Sequence, residues 1–264
     1  MILFLKTWRD HWKSVLAWGA VLVLMSSIQL SVYPSVVKSS AAMQQFVDAF
    51  PAALKKAFRL EDYTSGAGFL STELFSMIFP LVLIAIGSLW AASATAQEEE
   101  NGTGDLLFTL PRSRAQILVA KMVATISVLL FLGAVTVLTI GIGATFVDLS
   151  VKTENLIYAT LATALLGFVF SGVGFVAGAW LGRKGAALGI AAGLALIAFM
   201  IYSLTGLVDT FDSLAFANPF EWALSGSPLF NGADWQGMAG LFVTGTVLYA
   251  VALAIFRRRD LAAG

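Results

Sequence analysis

Side chains able to do chemistry are scarce in this sequence. There is no cysteine and one histidine, His11, so disulfides and thiolate metal sites are excluded and zinc chemistry has little to draw on. His11 precedes the first long apolar run, which leaves no Ser/His pair and no histidine metal site inside such a run. No lysine falls deep within one either, so a Ser/Lys nucleophile is hard to place. A phosphate loop of the form G-x-x-x-x-G-K-[ST] is missing, and GAWLGRK (178–184) only approximates it. The chemistry this chain can offer is therefore recognition, concentrated in one polar segment, QEEENGTGDLLFTLPRSRAQILVAK (97–121).

That segment reads as a hinge between two apolar runs, 74–96 and 122–147. Glu98, Glu99 and Glu100 at the end of a helix oppose its C-terminal partial negative charge, which favours an end near Gly102 and a new start. Thr103 or Asp105 can cap a short helix over 105–110, with Leu106, Leu107 and Leu110 on one face and Pro111 breaking away. Ser113 with Gln116 makes a capping box for the next long helix. Arg112 and Arg114 then sit at headgroup level, and Lys121 can reach back toward it. A short surface helix with an apolar stripe and an acidic shoulder suits the docking of a partner better than a plain solvated loop.

The elements that hold this hinge follow from composition. The 264 residues are 58% hydrophobic and 12% charged, with a mean hydropathy of +0.85, where soluble domains carry about 25% charged residues. The expected class is an all-α integral membrane protein. Charge-free runs at 14–37, 74–96, 122–147, 155–182, 185–208 and 235–256 each reach the roughly 20 helical residues that cross a hydrocarbon core of about 30 Å. They predict six transmembrane helices in a single domain over 1–264. A zero net charge argues against nucleic acid as a partner. The first run extends to Val37 with no small-residue cleavage pattern, so a retained helix is expected rather than a signal peptide.

Residues 1–13, MILFLKTWRDHWK, are amphipathic, with Phe4, Trp8 and Trp12 at helical spacing and Lys6, Arg9, Asp10 and Lys13 opposite. Such a helix suits the headgroup region, among membrane lipids, and can also face a partner. The long loop 38–72 repeats Met43, Phe46, Val47, Phe50, Leu54 and Phe58 at helical intervals, broken near Pro51. The loop 209–234 is rich in Phe, Trp and Leu around Asn218-Pro219 and reads as a re-entrant or interfacial element. Gly174, Gly178 and Gly182 recur every four residues, as do Gly185, Gly189 and Gly193, a spacing that lets helix backbones approach closely. With the N-terminus inside, the inner side gathers most of the bases, among them Arg183, Lys184 and Arg257 to Arg259. The positive-inside rule thus predicts both termini in the cytoplasm of a multi-pass protein of the cell (plasma or inner) membrane.

The hinge resembles the hallmark segment of ABC-2 type transporter permeases, matching at Glu98, Glu99, Gly102, Thr103, Leu106, Leu107, Pro111, Ser113, Arg114 and Lys121. Gly104 stands where that family often has a larger apolar residue. The six-span layout, the Asn-Pro-Phe stretch (218–220) and the closing FRRRDL (256–261) agree with the resemblance. It implies a permease that pairs with a second permease subunit, identical or homologous, and docks a separate ABC ATPase. The ATPase would bind ATP and Mg, this chain holding no cofactor or metal. It further implies that 97–121 is the coupling segment and that 1–13 is similar to the family's interface helix. The charge-free spans suggest a lipophilic or amphipathic substrate, moved outward. The alternative is a stand-alone ion channel or secondary carrier. Carriers usually keep a charge within a span despite a cost of about 2.5–3.5 kcal/mol, and Glu73 is expected only at an outer edge.

Overall fold

The computed structural model describes residues 2–51, 54–55, 62–100, 113–205 and 207–258. These residues are predominantly helical, with no strand among them, and six helices are long and apolar enough to cross a membrane. In chain order they are α1 (Ile2–Lys38), α4 (Ile78–Glu100), α5 (Arg114–Ala144), α6 (Thr153–Leu181), α7 (Lys184–Leu204) and α11 (Trp235–Arg258). Shorter helices fill the far end, opposite the chain termini: α2 (Ser40–Asp48), α3 (Gly66–Leu70), a π-helical turn (Ser71–Phe75), α8 (Asp209–Asp212), α9 (Pro219–Leu224) and α10 (Pro228–Asn231).

Two boundaries differ from the sequence expectation. The amphipathic stretch 1–13 is not a separate helix, because α1 runs unbroken from Ile2 to Lys38. No glycine or proline lies within five residues of Lys13, so the helix propagates through it. Its 37 residues span about 55 Å, well beyond a hydrocarbon core. The second span starts earlier than position 74. It extends over Gly66–Thr95 because Ser65 caps α3 by accepting from the Gly68 N–H at 3.0 Å and the π-turn carries the helix onward. Glu73 lies in this helical stretch, seven residues past Gly66 and just before the apolar run 74–96.

Glycines set the packing. α6 is the most enclosed span, and α4 and α11 lie along it, all three running the same way. Gly87 sits against Gly167 and Ser171, and Gly174 against Ser88 and Ala91. Gly172 faces Leu248 and Tyr249, and Gly245 lies under the Phe168 ring. α1 and α5 form a second parallel pair, with Gly19 facing Leu132 and Gly143 against Leu30. The main core fills the space between these groups with Leu22, Phe69, Phe79, Leu83, Leu132 and Phe175, all wholly buried.

At the far end the segment 209–234 turns back into the bundle. Asn218 caps α9, its Oδ1 accepting from Phe220 N–H at 3.0 Å. Its Nδ2 donates to Ala198 O of α7 at 2.8 Å. Phe220 is fully buried among Phe170, Phe199 and Tyr202. Asn155 donates to both Leu229 O and Phe230 O at 3.0 Å, tying α10 to the start of α6. Phe216, by contrast, stays 78% exposed.

Candidate functional site

The base of the bundle, where α4 ends and α5 begins, is where the charged hinge emerges. The backbone of Glu98, Glu99 and Glu100 completes α4, and their side chains lie outside the described residues, as does that of Arg114. Gly102, Thr103, Leu106, Leu107, Leu110, Pro111 and Arg112 also lie outside the described residues. The capping box at the start of α5 is formed: Ser113 Oγ accepts from Gln116 N–H at 3.3 Å, and Ser113 N–H donates to Gln116 Oε1 at 3.2 Å.

Lys121 supplies the bond between the two helices that flank the hinge. Its Nζ donates to Ala94 O of α4 at 3.1 Å, six residues before that helix ends at Glu100. The next residue, Thr95, is buried and donates to Ala91 O at 2.9 Å. Its side chain occupies the space a Cβ would need at Gly178 of α6, so only glycine fits there. The base ends of α4, α5 and α6 are thus held at one level.

The N-terminal part of α1 reaches the same region. Trp8 donates from Nε1 to Ser127 Oγ of α5 at 2.9 Å, and its ring meets Phe131 edge-on at 5.6 Å and Trp90 of α4 at 6.4 Å. His11 lies 5.0 Å from the Trp90 ring. Phe4 and Trp8 pack against the core, whereas Trp12 is 50% exposed and Arg9 is exposed. The expected Phe4, Trp8, Trp12 face splits because each step of four residues advances about 40° around a 3.6-residue helix. The seam that packs is Trp8, His11, Val15, Gly19 and Leu22, in steps of three, four, four and three.

The two glycine triplets divide. Gly174 and Gly178 face α4, and a Cβ added at Gly178 would also come within 3.5 Å of Ala187 Cβ of α7. Gly182 ends α6 in the left-handed conformation, φ 65°, which costs glycine little. Around Gly185, Gly189 and Gly193 a Cβ would meet nothing within 4 Å, so among the described residues there is open space on that side of all three.

Sequence reasoning missed Trp90, Ser127, Phe131 and Ala94 as members of this region, since no spacing rule links residues on different spans. Among the described residues no group of three or more His, Cys, Asp or Glu could hold a metal ion. Exposed rings mark the two ends of the bundle, Trp12 (50%) and Trp180 (71%) at the base and Phe146 (82%) and Trp235 (67%) at the far end, as in an interfacial aromatic belt. What this arrangement does is join the base ends of α1, α4, α5 and α6 through Trp8, Lys121 and Thr95.

In comparison with known proteins, a family model described as "ABC-2 family transporter protein" matches residues 1–261. No curated protein matches the chain.

Proposed function

The chain belongs to the ABC-2 family of transporter proteins, a multi-pass membrane protein of the permease kind, and on that premise we propose that it is the membrane subunit of an ATP-driven exporter of a lipophilic or amphipathic substrate. Segment 97–121 is the coupling segment for a separate ABC ATPase, which binds ATP and Mg and performs the hydrolysis. Glu98, Glu99, Glu100 and Arg112 give that surface its charge, and Leu106, Leu107 and Leu110 its apolar stripe. A second permease subunit, identical or homologous, completes the translocation path. Both termini face the cytoplasm of the cell membrane, which places the basic base of the bundle inside.

The observation that carries the reading is the Lys121–Ala94 bond. A push on the hinge cannot move α4 or α5 alone, because the two are joined within a turn or two of where the hinge enters. Trp8 adds α1 to the same body through Ser127. ATP-driven closure of two docked ATPases would then tilt α1, α4 and α5 together, the rigid-body motion that alternating access requires.

The test is purification of the tagged chain from its native membrane in mild detergent, with the co-purifying proteins identified and their ATPase activity assayed. The comparison is the double variant Leu106→Asp/Leu107→Asp. A stoichiometric phosphate-loop protein, lost in the variant, is the expected result. A wild-type chain that purifies stably without any ATPase would replace this reading with that of a channel or secondary carrier.

A further inference from the structure

The start of α1 presents two unlike faces. Its inner seam, from Trp8 to Leu22, turns toward α4 and α5, and the opposite side of the same turns is open. Lys6, Arg9 and Lys13 are exposed there. At about 100° per residue they fall within about 60° of one another, on two successive turns. Beside them runs an apolar stripe of Leu5, Trp12 and Leu16, each half or more exposed. Lys13 Nζ lies 6.0 Å from the centre of the Trp12 ring, so base and ring sit together. Asp10 is exposed on the flank of the bases.

Two physical arguments identify what covers this face. The first is level. Residues 14–37 hold no charge and rise about 36 Å as helix, enough to fill a hydrocarbon core of about 30 Å. The bases end at Lys13, immediately before that run, where Lys, Arg and Trp belong among head groups. Because α1 continues unbroken through Lys13, the same outward side leads on to Val23 and Leu24, both exposed. The second is charge. Three bases against one acid, Asp10, suit an anion at a membrane surface. A soluble acidic partner would match the bases and leave the stripe unmatched. A phospholipid matches both, with phosphate for the bases and acyl chain for the stripe.

We propose that the outward face of α1 over residues 5–16 is a binding site for an anionic phospholipid of the surrounding bilayer. Arg9 and Lys13, one turn apart, take the phosphate, and Lys6 takes the outer part of the head group. Trp12 lies at the level of the glycerol esters, and Leu16, Val23 and Leu24 line the chain. The site requires only that α1 spans a membrane, so it stands apart from the permease reading.

The test uses the full chain, with whatever ATPase accompanies it, in phosphatidylcholine nanodiscs containing a varied fraction of lipid brominated near the head-group end of its chains. Bromine quenches tryptophan on contact, and subtracting Trp12→Phe from wild type isolates Trp12 from the other indoles. Brominated phosphatidylglycerol should half-quench Trp12 at a mole fraction roughly tenfold below that needed with brominated phosphatidylcholine. Added salt should shrink this ratio, because exposed charges are screened. The triple variant Lys6→Gln/Arg9→Gln/Lys13→Gln, with and without Trp12→Phe, should need equal fractions of the two lipids. Equal fractions in wild type would overturn the proposal, as would a ratio that survives in the triple variant. Should the triple variant fail to fold, the salt series on wild type decides: an eroded ratio supports the site and an unchanged one defeats it. ATPase co-purification is read in the same samples. A wild-type Trp12 beyond reach of either lipid, with ATPase lost from the triple variant, would give this face to the ATPase and leave the permease reading intact. A lipid preference without any ATPase defeats the permease reading and leaves the lipid site standing.

Discussion

Trp8 and Ser127, 119 residues apart in the chain, are joined by an indole N–H donated to a hydroxyl at 2.9 Å. Ser127 Oγ in turn donates to Ala124 O at 2.7 Å, so the hydroxyl is fixed from both sides and the first helix is locked to the third span. Ser127→Ala should lower stability by about 0.6–1.7 kcal/mol, the range for interhelical bonds in membranes. Trp8→Ala should cost more, since it also removes ring contacts with Trp90 and Phe131. Trp12→Ala should leave the unfolding midpoint nearly unchanged. Thermal unfolding in detergent, followed by tryptophan fluorescence, separates the three.

The glycines of α6 and α7 should respond in opposite ways. At Gly178 a methyl group collides with the Thr95 side chain, and at Gly174 it would come within 3.1 Å of Ala91 Cβ. Gly178→Ala should destabilise by about 1–3 kcal/mol, as overpacking does, and Thr95→Ala in the same chain should recover part of the loss. Gly189→Ala, with nothing within 4 Å, should leave the isolated subunit's stability unchanged. The readout is the same unfolding midpoint, measured for each single and for the double variant.

Lys121 offers a test of mechanical linkage distinct from docking. Lys121→Met removes the ammonium that bonds Ala94 O while keeping the length of the side chain. The amount of co-purified ATPase should stay as in wild type, because the docking stripe is untouched. Distances between spin labels on the base ends of α4 and α5 should broaden. A narrow, wild-type distribution would mean that the bond carries no mechanical load.

The Tyr63–Glu73 bond sets an alkaline limit. Burial first, and then the bond to Glu73, raise the Tyr63 pKa above the ordinary value of about 10. A group whose folded pKa is raised contributes stability that is complete below the unfolded value and lost as pH rises through the folded one. The contribution should therefore be constant below about pH 10 and fade above it. Subtracting the Tyr63→Phe titration from wild type, by phenolate absorbance, should show one tyrosine ionising later than the exposed ones.

The reading of fold class needed no tertiary information. Six apolar runs of bilayer length leave few alternatives, since a backbone inside a membrane must satisfy its own hydrogen bonds. The capping box at Ser113 and Gln116 was legible for a similar reason, as both partners lie within one turn. The family too was legible, in residues 97–121 and the overall layout. Pairings between spans were not. Lys121 was visible as a base near a boundary, but its acceptor is a backbone carbonyl 27 residues away, and a carbonyl has no sequence signature.

What the sequence determined by itself was local and periodic: which stretches are helices, how long they are, and where charge collects. What only the tertiary structure decided was how those helices meet. It separated Gly178, jammed against Thr95, from Gly189, where an added Cβ would meet open space, although the two share the same spacing. It turned Trp8 inward and Trp12 outward, and it extended the helix of the second span back past Glu73 through a π-turn. The physical reason is the same in each case. Periodicity assigns a residue to a face of its own helix, and the neighbour that the face meets is chosen by packing among segments far apart in the chain.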